Sequence, residues 1–166
     1  MLTALAVALP QKKRVLRGRC LVAVDIENVA KGAIVSRFVA ESSRSRIRSV
    51  VPARCGDHVI VGTSHIGLLN AGLAWSGARM VVGSGPDGAD LALLGVLAGE
   101  GIATRFDEVV LVSGDGIFEE AVAELGRRGV RVTVVADQEC CSRRLRLAAA
   151  NVVWLPAEMP EEAVAA

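Results

Sequence analysis

The sequence predicts an α/β domain, a doubly wound sandwich in which helices cover both faces of a mostly parallel central sheet. Three observations carry that reading. Short β-branched runs alternate along the chain with longer stretches of helical period. Runs such as VVLVS and VTVVA are apolar at nearly every position, as expected of strands covered on both faces. The 166 residues, 52% of them hydrophobic with mean hydropathy +0.43, suffice for one domain with a substantial core.

In chain order the strands are residues 19–25 (RCLVAVD), 57–63 (DHVIVGT), 78–83 (ARMVVG), 108–113 (EVVLVS), 130–136 (VRVTVVA) and a short 152–155 (VVWL). Helices fall between them, at about residues 29–42, 65–76, 89–100, 117–128 and 142–150. The link 43–55 reads equally as a helix continuation or a loop, since Arg44, Arg46 and Arg48 alternate with Ser and Ile. Residues 1–18 read as a flexible basic leader, because their apolar start precedes the Lys-Lys-Arg run, the reverse of a secretory signal. Residues 156–166, with two prolines and an acidic cluster, read as a flexible acidic tail, which leaves 19–155 as the domain.

Nineteen Lys and Arg against eighteen Asp and Glu leave a formal charge of +1, so nucleic acid or anionic lipid must be held by local patches. No apolar run approaches the roughly 20 residues of a bilayer span, and no membrane partner is expected. Cys20, Cys55, Cys140 and Cys141 form neither a disulfide framework nor a CxxC pair, and the lone Cys-x-x-His of Cys55 and His58 lacks a second pair for zinc. Reduced thiols and a cytoplasmic location follow as expectations; a homodimer is left open.

Ligands of an open parallel sheet bind outside the carboxyl ends of its strands, and here those ends are acidic. The first strand ends in VDIEN (24–28), the third leads into GSGPDGAD (83–90) and the fourth into SGDGIF (113–118). Asp25, Asp90 and Asp115 are expected to converge on one rim, with Asp87 and Glu119 close enough to join. Such a cluster calls for a hard divalent cation, Mg²⁺ or Mn²⁺, and for phosphate chemistry. The competing reading makes each Asp an ordinary helix cap.

Gly83, Gly85 and Gly88 spell G-x-G-x-x-G, but on the third strand, with Asp87 where a pyrophosphate would sit, which argues against a dinucleotide. Two histidines, His58 and His65, and no tyrosine or G-x-S-x-G elbow leave a hydrolase triad without a base, and both histidines read as structural. The acidic neighbours Asp137 and Glu139 disfavour a Cys140 or Cys141 thiolate.

The order VDIEN, Gly-Ala-Asp at the head of a helix, SGDGIF, then RVTVVAD, resembles the NYN family of PIN-like ribonucleases over about residues 19–155. The resemblance implies a metal-dependent endoribonuclease whose catalytic residues are Asp25, Asn28, Asp90 and Asp115, with the three aspartates holding Mg²⁺ or Mn²⁺. It implies RNA as the substrate class and Ser113 as a supporting donor. Two family acids are replaced here: Ile117 stands where many relatives have Asp, and Gly95 and Val96 where a further acid occurs. These departures define the alternative, a catalytically weak or inactive PIN-like module that binds RNA or a protein in a regulatory role. RNA contacts are expected from two arginine segments, Arg44, Arg46 and Arg48, and Arg143, Arg144 and Arg146.

Overall fold

The computed structural model describes residues 18–54 and 56–157; nearly all of the expected leader and tail, and Cys55, lie outside them. Six parallel strands form one sheet in the order β3-β2-β1-β4-β5-β6. They are β1 (Cys20–Asp25), β2 (His58–Ser64), β3 (Arg79–Gly83), β4 (Glu108–Val112), β5 (Arg131–Ala136) and β6 (Asn151–Trp154). The helices are α1 (Ile26–Ala30), α2 (Arg37–Arg48), α3 (Leu68–Ala74), α4 (Gly88–Gly99), α5 (Ile102–Arg105), α6 (Glu119–Arg127) and α7 (Arg143–Ala148), with a 3-10 turn at Gly116–Phe118. The expected α/β architecture is borne out.

Side chains alternate along a strand, and that alternation builds two cores. Leu21, Ala23, Val109, Leu111, Val132 and Val134 pack under α4 to α7, while Cys20, Val22, Val24, Val61, Val112 and Val135 pack under α1 to α3. Asp25 and Ser113 continue the first series, so the same parity that buries Ala23 and Leu111 turns them toward α4. Register sets them side by side, because Val24 pairs with Val112 across the seam between β1 and β4. The strand order reverses at this seam, where ligands of such sheets bind.

Glycines let α4 reach the rim. At Gly62 an added Cβ would lie 3.2 Å from the Ala89 carbonyl oxygen and 3.3 Å from the Leu93 Cβ, so the bare backbone admits the helix. Gly83 and Gly88 approach more closely still, and Gly85 turns the chain at φ +80°. This tight turn accounts for the G-x-G-x-x-G spacing without a nucleotide.

Three local expectations differ. The first helix starts earlier and breaks: the Asp25 carboxylate accepts from the Asn28 amide and caps α1, Lys31 then ends it in the left-handed region, and Ser36 caps a new helix. The ambiguous link is helical to Arg48. The short α5 occupies a stretch read as loop, and Ile102, Ala103 and Phe106 there are buried.

Candidate active site

Asp25 ends β1, Asp90 lies in the first turn of α4, and the two line one cavity, near enough for the charge on Asp90 to act on Asp25. Asp25 is 2% exposed and its ionisation is pushed up to about 7, first by burial and then by the Asp90 charge. Asp90 is also raised, by burial and by Asp115, Asp87 and Glu27. Two carboxyl groups this near each other inside a protein cannot both ionise cheaply, so the pair retains a proton toward neutral pH.

The surroundings hold Asp25 in place. Buried Ser113 donates through Oγ to Asp25 Oδ2 at 2.9 Å and accepts the Asp115 amide at 3.1 Å. The Asn28 side-chain oxygen accepts the Gly114 amide at 3.0 Å, tying α1 to the loop after β4. Asp115 accepts the Ile117 amide at 2.9 Å and so caps the 3-10 turn, as the cap reading expects, while its charge still reaches Asp90.

Asp25, Glu27, Asn28, Ser64, Gly85, Asp87, Gly88, Ala89 and Asp90 line a cavity of about 230 Å³. Glu27 is a site residue that sequence reasoning misses, although it stands inside VDIEN. Its Oε1 accepts from the Ser64 amide (2.8 Å), Ser64 Oγ (2.5 Å) and Thr63 Oγ1 (3.2 Å). The remaining signal for it, a polar Thr-Ser at the end of an apolar strand, lies 36 residues away from it in the chain. Glu119 faces elsewhere, lining a groove between α4 and α6 with Leu94, Ile117 and Arg127.

These side chains suit a metal only as an open set. Among the described residues no group of three or more His, Cys, Asp or Glu is arranged to hold a metal ion, so Asp25, Asp90 and Asp115 do not form the three-aspartate site expected from the sequence. Mg²⁺ is commonly held by one or two carboxylates, its shell completed by water and phosphate. The Asp25–Asp90 pair fits that demand, since the two line one cavity and the charge on Asp90 opposes that on Asp25, which is what a cation relieves.

The two arginine segments diverge. Arg46 is mostly buried and ion-paired with Asp137, with a further bond to the Pro156 carbonyl at 2.6 Å, so it braces the fold instead of reaching for a phosphate as expected. Arg44 and Arg48 lie over the Trp75 ring. Arg143, Arg144 and Arg146 are exposed on α7, which follows directly on Ser142, whose amide donates to the Gly114 carbonyl at 2.9 Å. That helix therefore starts beside Asp115.

The six-stranded parallel sheet with helices on both faces defines an α/β domain, with Asp25 and Asp90 at its reversal point. The family model of the NYN domain matches residues 77–156, which bears out the resemblance read from the sequence, and domains of this family are of ribonuclease type. A crystal structure of a protein of unknown function from Vibrio parahaemolyticus superposes with TM-score 0.59 at 21% identity, covering 90% of this chain and 99% of that one. That likeness concerns the fold. No curated protein matches the chain. Among the described residues no helix is long and apolar enough to cross a membrane.

Proposed function

We propose that the protein is a divalent-metal-dependent endoribonuclease, and the observation that carries the reading is the placing of Asp25 and Asp90 in one cavity at the β1–β4 seam. Asp25 and Asp90 would hold Mg²⁺ or Mn²⁺, with Asp115 at the edge of the set. The ion would neutralise charge on a phosphodiester and acidify a water beside it. Ser113 keeps one Asp25 oxygen oriented, and Asn28 holds the Gly114 loop, so that Asp115 stays near the pair. In-line attack by water would leave 5′-phosphate and 3′-hydroxyl ends. The exposed arginines beginning next to Asp115 support RNA as the substrate, read through its backbone.

The test is cleavage of a labelled single-stranded RNA in Mn²⁺, in Mg²⁺ and in EDTA. Cleavage in either metal and none in EDTA is expected; cleavage that survives EDTA would rule the mechanism out. A second reading, an RNA-binding module without turnover, is favoured by Asp115 serving as a cap and by Ile117 in place of an acid. Binding without cleavage in both metals would select it.

A further inference from the structure

The acidic cavity poses a problem for a polyanion, because no residue lining it carries a positive charge. A phosphodiester entering it needs donors at the lip. On the β4 side the arginines of α7 supply them. On the β2–β3 side the loops after the two strands meet, where His65 Nδ1 and Ser84 Oγ are 3.0 Å apart.

This corner is built from both directions. His65 follows Ser64 and Ser84 precedes Gly85, and both of those neighbours line the cavity. The three hydrogen bonds that Glu27 Oε1 accepts from Thr63 and Ser64 fix the backbone from which His65 projects. Close packing fixes the far side of that turn: at Gly67 an added Cβ would lie 2.3 Å from Thr63 Oγ1 and 3.0 Å from the Ile34 Cβ. The ring is exposed, and the hydrogen bond it makes among the described residues is at Nδ1, to Ser84 Oγ. When the Ser84 hydroxyl donates to Nδ1, the neutral ring carries its proton on Nε2; when the ring is cationic, Nε2 carries one as well. An exposed N–H donor at an acidic lip, steadied through the opposite nitrogen, suits a phosphate oxygen.

Resting on the ribonuclease reading, we infer that His65 contacts a backbone phosphate of the bound RNA, one flanking the scissile bond, with Ser84 orienting the ring. The strand then crosses the carboxyl rim from α7, past Asp115 and the Asp25–Asp90 pair, to His65. The other histidine has no such role, since His58 meets the Phe106 ring edge-on and the Arg19 guanidinium at 3.1 Å.

The test is anisotropy of a fluorescein-labelled decamer RNA in EDTA, together with KM and kcat for its cleavage in Mn²⁺. His65→Ala should weaken binding about fivefold to tenfold, the upper part of the range for loss of a typical hydrogen bond. KM should rise more than kcat falls. His65→Gln, which keeps an N–H near the place of Nε2, should recover part of the affinity, and Ser84→Ala should show a smaller loss. Thermal midpoints should match the parent's, as both side chains are exposed. A parent that cleaves RNA while His65→Ala keeps parental Kd and KM overturns the contact alone. A parent that binds but does not cleave overturns the nuclease reading, and the Kd of His65→Ala still decides the contact. A parent that fails to bind RNA overturns both.

Discussion

Replacing Asp90 by Asn is expected to lower RNA cleavage by at least about 100-fold, the upper end of what losing an outer-shell partner of a metal costs, because on the proposed function it removes a direct ligand. The same variant is more heat-stable than the parent in EDTA at pH 8. Asp25 ionises at about 7 in the folded protein against an ordinary 3.8, so between those values the folded chain holds a proton that the unfolded chain has released. In metal-free buffer this contribution to stability is complete below about pH 4 and is lost as pH rises through about 7. The substituted amide keeps a hydrogen-bonding group beside Asp25 and deletes the charge that opposes it. Relief on the order of 1 kcal/mol is expected, raising the thermal midpoint by roughly 2–4 °C for a domain of this size. Scanning fluorimetry at pH 5 and pH 8 would show the gain at the higher pH only. Parental cleavage by this variant would leave Asp90 as an ordinary first-turn acid of α4.

Gly83→Ala is expected to give the largest loss of stability at the rim. Its Cβ would fall 1.8 Å from the Gly88 carbonyl oxygen and 2.1 Å from the Gly88 carbonyl carbon, and backbone cannot rotate aside. Overpacking of this kind costs about 3 kcal/mol, a drop in thermal midpoint of roughly 6–12 °C. Function should fail with it, since the head of α4 must move and carry Asp90 away from Asp25. Gly85→Ala is the control, with φ +80° but open space around it, and should cost only about 1 kcal/mol. Equal melting of Gly83→Ala and the parent would show that the turn is slack and that α4 is not set by it.

The strands were legible because burial on both faces leaves mostly Val, Ile, Leu and Ala in them, and the rim was legible because Asp25 ends such a run, Asp115 follows another closely and Asp90 lies in the first turn of the helix after a third. Ser113 was legible as a supporting donor through the family resemblance, and its hydroxyl does donate to Asp25. Glu27 was not, because its role depends on Thr63 and Ser64 in a strand that only the sheet order brings beside it. Arg46 looked like its neighbours Arg44 and Arg48, and only the packing of α2 against Asp137, 91 residues on, distinguishes them. The early break of α1 follows from Asp25 serving as both cap and site residue, a double use that hydrophobic periodicity does not register. His65 read as structural, since its place at the lip depends on two loops meeting.

If Asp25 and Asp90 share a proton, a divalent cation bound between them must displace it. Titration calorimetry of the metal-free protein with Mn²⁺ at pH 6.5, repeated in buffers of different ionisation enthalpy, tests it directly, because metal binding to a protonated site releases protons. The expected result is saturable binding of at least one ion per chain, accompanied by proton release, with both lost in Asp90→Asn. Absence of saturable binding, or binding that Asp90→Asn leaves unchanged, would contradict the account.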